Sequence, residues 1–196
     1  MSVLSLFSRR ETALHAMDDK RLMLEVKQGD RRAFDELYRR YSRRLQGFFF
    51  RQLGGDEERA ADAMQDTLLR VFEHRERYAE GSDVSTWVFS IAYNLCKNIY
   101  RRKDNEAKYL QTLDAQPAEE SAVEIQMDNA RLMEALQQVL DALPPPLRLI
   151  FSLRHEEELT TAQMAAILQI PEGTVKSRLH KTMNLIRQQL KHYEHI

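Results

Sequence analysis

Apolar residues recur at helical spacing from Arg21 to about Tyr100, the pattern of amphipathic helices that share a core. In "DAMQDTLLRVFEHRERY", residues 62–78, Met64, Leu68, Val71 and Phe72 fall on one face and leave Asp62, Gln65, Asp66 and Glu73 on another. In "STWVFSIAYNLCKNIYRRK", residues 85–103, the expected buried set is Trp87, Val88, Ile91, Leu95 and Ile99. Asn94, Asn98 and Arg101 or Arg102 line the opposite side. The periodicity then fades: residues 103–128 are acidic, contain Pro117 and read as a linker. It returns in Leu132, Met133, Leu136, Val139, Leu140 and Leu143, one stripe of a helix that the prolines at 144–146 must end.

Beyond a helix expected around Leu147 to Leu153, the punctuation is explicit. Thr160 followed three residues later by Gln163 is a capping box that opens a short helix. Met164, Ile167 and Leu168 face inward, while Ala165 and Ala166 are small enough for a second helix to cross closely. "LQI" makes a tight turn, and Pro171 suits the first position of the next helix. That order is helix, turn, helix. In the last helix Val175, Leu179, Met183, Ile186 and Leu190 form the buried stripe and leave Lys176, Ser177, His180, Lys181 and Asn184 outside.

Composition agrees with an all-α fold, since Gly and Pro are scarce and good helix formers fill most windows. Two small helical domains flank a flexible acidic tether: a tail at 1–17, a first domain at 18–103, the linker at 104–128 and a second domain at 129–196. The single cysteine, Cys96, excludes an internal disulfide framework and any Cys-based zinc cluster, which suits a reducing compartment. No apolar run approaches the eighteen or so residues of a membrane span. "MSVLSLFSRR" carries its basic residues after the apolar ones, the reverse of a secretory signal.

Charge changes the picture at one place. The chain carries a formal net charge of -1, yet residues 170–191 hold Lys176, Arg178, Lys181, Arg187 and Lys191 against one acid, Glu172. A basic run can be a solvated face, but this one follows a capped helix and a tight turn, on the first turns of a helix placed to enter a major groove. Its side chains are donors to phosphates and base edges. His180 has no Cys or His at ligand spacing, so no metal is expected. In the first domain, Asn94 and Asn98 are poor residues for a helix interior. One turn apart and leading into a basic end, they suit hydrogen bonds to bases beside phosphate contacts, although a solvated face would look the same.

The pairing of "DAMQDTLLRVF" with "TWVFSIAYNLCKNIYRRK", an acidic tether, and "LTTAQMAAILQIPEGTVKSRLHK" resembles bacterial RNA polymerase sigma factors of the extracytoplasmic-function group, over roughly residues 20–190. Such factors keep only the second and fourth sigma domains. The resemblance implies a non-enzymatic initiation factor without cofactors that binds core RNA polymerase, directs it to promoters and helps melt the minus-ten element. Asp62, Gln65 and Asp66 match the face that docks on the clamp coiled coil of the polymerase largest subunit, and the flap is the second contact. Asn94 and Asn98 match positions that hold bases of the melted non-template strand, with Arg101, Arg102 and Lys103 on nearby phosphates. Residues 75–83 match the loop that captures a flipped base. Lys176, Ser177, Arg178, His180 and Lys181 are the implied reading set for the minus-thirty-five duplex. An anti-sigma partner, often membrane-anchored, is the family habit, so the implied location is the bacterial cytoplasm or the inner face of its inner membrane. The chain departs from the family in having Leu68 where an aromatic is usual, and His180 stands where side chains vary.

Three rivals compete. A regulator that merely ends in a helix-turn-helix would bind a duplex palindrome as a dimer without polymerase. A helical enzyme acting on nucleic acid would need converging metal carboxylates, and Glu156, Glu157 and Glu158 are consecutive and point around the chain. A sigma mimic that binds only an anti-sigma protein has no use for two basic helices.

Overall fold

The computed structural model describes the backbone of residues 13–110 and 129–194 and the side chains of 13–101 and 133–190; within them all regular structure is helical. The chain divides into two compact units, and the division falls inside a long helix, after Leu95.

The first unit contains α1 (Asp19–Lys27), α2 (Arg31–Gln52), α3 (Glu57–Glu73), a short 3-10 turn (Arg75–Arg77) and the start of α4 (Val84–Leu110). All four helices begin on an aspartate. The carboxylates of Asp18, Asp30, Asp56 and Asp83 accept from the amides of Arg21 (2.8 Å), Arg32 (2.9 Å), Arg59 (3.0 Å) and Thr86 (2.7 Å). Each occupies an otherwise orphaned donor and places negative charge at the positive end of its helix. Gly29, with φ +91°, lets α1 stop and α2 start within three residues, a conformation that a side chain would strain.

α2 packs against α1 and α3 around an aromatic core. Tyr41, Phe48, Phe49 and Phe89 are fully buried with Leu22, Met23, Leu37 and Leu45, and Phe48 meets Phe49 and Phe89 edge-on at 5.3 and 5.5 Å. This core turns α4 relative to the sequence expectation. Val84, Val88, Phe89, Ala92, Leu95 and Cys96 face inward, whereas Trp87, Ile91 and Ile99 are half-buried. The Phe89 ring takes the central position beside Phe48, and Trp87 packs edge-on against Tyr78 at 5.4 Å.

Two boundaries also differ. The segment read as a loose tail through residue 17 has a helical turn at 13–16 with Leu14 buried. Arg40 of α2 holds it, donating to the carbonyls of His15 (3.0 Å) and Met17 (2.9 Å) and to the Asp19 carboxylate (2.7 Å). Asp19 in turn accepts from the Tyr41 hydroxyl at 2.6 Å, and that oxygen lies 2.9 Å from Ser85 Oγ at the start of α4. Beside them Glu36, only 6% exposed, accepts from Arg39 (2.8 Å) and Arg40 (2.6 Å) and lies 2.8 Å from His15 Nδ1. The Arg39 hydrogen bond, helped by Arg40 and His15 and opposed by burial, holds the Glu36 carboxyl down at about 2. At the other end α4 continues to Leu110, past Lys103 where the linker was expected to begin, because "DNEAKYL" contains no Gly or Pro to stop it. Residues 111–128 of the expected linker, and 1–12 of the tail, lie outside the described residues.

The second unit contains the rest of α4 and, Ala166–Leu168 apart, α5 (Asn129–Ala142), α6 (Pro145–Phe151), a wider π-type turn (Ser152–Glu156), α7 (Thr161–Leu168) and α8 (Glu172–Glu194). α8 packs on α5 and α6, where one aliphatic cluster is Val139, Leu140, Leu143 and Ile186, flanked by Leu136, Phe151, Met183, Leu185 and Leu190, and Ile150, Leu153, Met164 and Val175 are fully buried as well. Met133, expected on the same stripe, is 68% exposed: the α5 stripe is buried only from Ala135 onward. The prolines act as expected, since the Pro144 carbonyl accepts from Leu147 and Arg148 (2.9 and 3.1 Å) and opens α6 where α5 has ended. Of the acidic trio, Glu157 is buried, Glu156 half-buried and Glu158 exposed at φ +54°, so the carboxylates do not share one environment.

Candidate nucleic-acid interface

The helix-turn-helix forms with its caps in place. The Thr160 hydroxyl accepts from the Gln163 amide (3.2 Å) while the Gln163 side chain accepts from the Thr160 amide (2.8 Å). α7 ends on Gln169 in the left-handed conformation, φ +56°, and the Ile170 amide returns to the Ala165 carbonyl at 3.2 Å. Pro171 sits one place before the helix rather than at its first position, with its carbonyl accepting from Thr174 and Val175 (2.9 and 3.1 Å).

On α8, Lys176, Ser177, His180, Lys181 and Asn184 are all exposed and share one face, opposite buried Val175, Thr182 and Ile186. Arg178 is half-buried, about 60° beyond the edge of that face at 100° per residue. Of the five expected reading residues the fold therefore groups four and sets Arg178 aside. Ser177 donates its hydroxyl to the Thr174 carbonyl at 3.0 Å, so it offers DNA an acceptor in this rotamer. Asn184 extends the row. Its amide nitrogen lies 3.2 Å from His180 Nδ1 and 3.5 Å from Nε2, and Arg187 approaches its oxygen at 3.5 Å.

On α4, Asn94, Asn98 and Arg101 are exposed in one row, directly behind buried Val88, Ala92 and Cys96. Burial pushes the Cys96 thiol up to about 12, so it remains a neutral packing group. The side chains of Arg102 and Lys103 lie outside the described residues.

On α3, Asp62, Gln65 and Asp66 are exposed, and Asp66 lies 3.8 Å from Arg70 one turn on. Sequence reasoning missed Leu69, which is 54% exposed on this same face, and Tyr38 of α2, which is 37% exposed. An apolar residue directly after the Leu68 stripe position was the available signal for Leu69. Near Tyr38, Phe34 lies 4.9 Å from Phe72, and the Arg75 guanidinium covers that ring at 4.5 Å.

Between α3 and α4, residues 75–83 form a closed arch. Tyr78 is buried, its hydroxyl donates to the Ser82 carbonyl at 2.5 Å, and Gly81 turns the chain at φ +84°. Burial, with Asp83, Asp18 and Asp19 nearby, pushes the Tyr78 phenol up, so it stays a donor.

Among the described residues no helix is long and apolar enough to cross a membrane. Comparison with known proteins matches residues 37–106 to Sigma-70 region 2 and residues 133–186 to Sigma-70 region 4. The ECF RNA polymerase sigma factor SigW of Bacillus subtilis is 28% identical over 88% of this chain and 96% of its own. Among solved structures, CnrH in complex with the cytosolic domain of CnrY shares the fold at TM-score 0.66 and 21% identity, covering 88% of this chain and 97% of that one. The sigma factor RpoE of Bartonella quintana, crystallised with the anti-sigma factor NepR, does so at TM-score 0.65 and 20% identity, covering 81% and 96%. With region 2 matched on the helices that bear the asparagine row and region 4 on those that bear the basic row, the chain belongs to the sigma-70 family as an extracytoplasmic-function sigma factor, a non-enzymatic protein that directs RNA polymerase to promoters.

Proposed function

We propose that the two exposed rows act on two states of the same promoter. Lys176, Ser177, His180 and Lys181 contact the minus-thirty-five element as a duplex, with Arg178 at the edge of the contact. Asn94 and Asn98 hold bases of the non-template strand once the minus-ten element opens, and Arg101, Arg102 and Lys103 hold its phosphates. Residues 75–83 receive a flipped base. Asp62, Gln65 and Asp66 dock on the clamp of the polymerase largest subunit, the second unit meets the flap, and the acidic linker runs near the RNA exit path. The observation that carries this reading is the contrast between the rows: neutral amides suit unpaired base edges, while lysines suit the phosphates and guanines of a duplex.

The crystallised relatives favour an anti-sigma partner for this chain as well, one that covers both DNA-binding units and holds the factor on the cytoplasmic side of the inner membrane until released. Two half-sites read by small domains on a tether gain avidity only when polymerase fixes their separation. The purified chain alone is therefore expected to bind promoter duplex weakly, and core polymerase to convert this into specific open complexes. Reconstituted transcription and footprinting on a promoter library test the reading, and an equally strong footprint without polymerase would replace it with a simple helix-turn-helix regulator.

A further inference from the structure

The arch at residues 75–83 is tied to itself and to α4. The Tyr78 amide donates to Arg75 (3.1 Å), the Ser82 amide to Ala79 (3.1 Å), and the Tyr78 hydroxyl closes on Ser82. Asp83 grips the first turn of α4 through the Thr86 amide and hydroxyl, at 2.7 and 2.8 Å. A further tie comes from a distant element. Lys27, in the last turn of α1, donates from Nζ to the Tyr78 carbonyl at 3.2 Å. The same ammonium lies 3.7 Å from the Glu80 carboxylate, and the lysine side chain is 26% exposed against 70% for Glu80.

We infer that Lys27 is a positioning residue for base capture, pinning the Tyr78–Ser82 arch from α1 and screening Glu80 on the surface that the melted strand approaches. The inference rests on the reading of this arch as the receiver of a flipped base. An arch ordered beforehand loses less conformational freedom when a base arrives, so more of the binding free energy is available to hold the strands apart. Glu80 without its partner would repel the incoming phosphates at short range, where salt screens least. The charge of Lys27 also favours the C-terminus of α1, so a purely structural role is the competing account.

The test uses the full chain with core polymerase and two variants, Lys27→Met, which keeps the apolar stem, and Lys27→Arg, which keeps the charge and a donor. In the free protein, Lys27→Met is expected to raise hydrogen exchange at the amides of residues 78–82 by roughly tenfold, the scale of one lost charge-assisted hydrogen bond. Permanganate-detected opening of duplex promoters should fall by about the same factor, the gel shift of the closed complex should not change, and Lys27→Arg should restore both affected readouts. Parental exchange and opening in Lys27→Met would overturn the inference. So would a uniform fall in melting temperature, polymerase binding and opening that Lys27→Arg also repairs, since that is the signature of an α1 helix-end charge. If the parent itself opens no promoter, the base-capture reading fails, and the exchange arm still reports separately whether Lys27 orders the arch.

Discussion

Around the aromatic core, a neutral amide row stands on α4, whose other face carries Val88, Phe89 and Ala92 inward, and α1 to α4 each start on an aspartate cap. By contrast, a cationic row stands on α8, whose other face carries Val175 and Ile186 into an aliphatic core, with helix starts set by Pro144, Thr160 and Pro171. The difference follows from what each row faces. Bases pulled from a stack return to it unless the groups that hold them are fixed in advance, so the amide row needs a rigid support. A lysine row attracts a preformed duplex over several ångströms and tolerates a lighter frame.

The largest effect should come from cutting the two cores. Phe89→Ala removes a fully buried ring and should cost about 3–5 kcal/mol, whereas Leu140→Ala, at the slightly exposed edge of the aliphatic core, should cost about 2–3 kcal/mol. Denaturant unfolding, followed separately by probes in each unit, checks the order; equal costs would remove the claim that the first unit is the stiffer.

Next is the α3 face. Gln65→Ala with Asp66→Ala should weaken core polymerase binding by about ten- to a hundredfold at unchanged helix content, because both residues lie off the buried stripe. Leu69→Ala should act in the same direction, since its exposed side chain contributes little to folding. Fluorescence titration against core polymerase measures both, and a double variant that unfolds would make the face structural.

A smaller effect is confined to the first unit. Because the Glu36 carboxyl is held at about 2 in the fold, against an ordinary value of 4.5, its contribution is fully present above about pH 4.5 and is lost as pH falls towards 2. Glu36→Gln should remove that slope and cost on the order of 1–2 kcal/mol at neutral pH, a figure reduced by solvent screening around the exposed Arg39. Melting temperature against pH for parent and variant decides it; parallel curves would show that the Arg39–Glu36–Arg40 cluster adds nothing.

The smallest is a gain in the second unit. Gln169 holds φ +56° where glycine pays no steric penalty, so Gln169→Gly should stabilise by about 0.5–1 kcal/mol without altering DNA binding.

Much of this was legible because local rules decide it. The Thr160–Gln163 box, the stop at Pro144 and the outward row on α8 each depend on neighbours within one turn. What sequence reading missed depends on distant partners. The inward rotation of α4 is set by Phe48 across the core, the ordering of residues 13–17 by Arg40 on α2, and the anchoring of the arch by Lys27 on α1. Arg178 is intermediate: charge placed it with its neighbours on α8, and only the helix rotation sets it aside.

The central claim, that the two rows see two states of DNA, is tested most directly by comparing Lys176→Ala with Lys181→Ala against Asn94→Ala with Asn98→Ala, each pair made together, in the polymerase holoenzyme. Gel shift of the closed complex and permanganate reactivity of bubble thymines report the two steps separately. The lysine pair should weaken the closed complex and flatten its salt dependence by about two counterions. The asparagine pair should leave the closed complex intact, reduce opening on duplex promoters, and recover in part on templates with a pre-melted minus-ten bubble. An asparagine pair that opens duplex promoters as well as the parent would contradict the account and reduce that row to a solvated face.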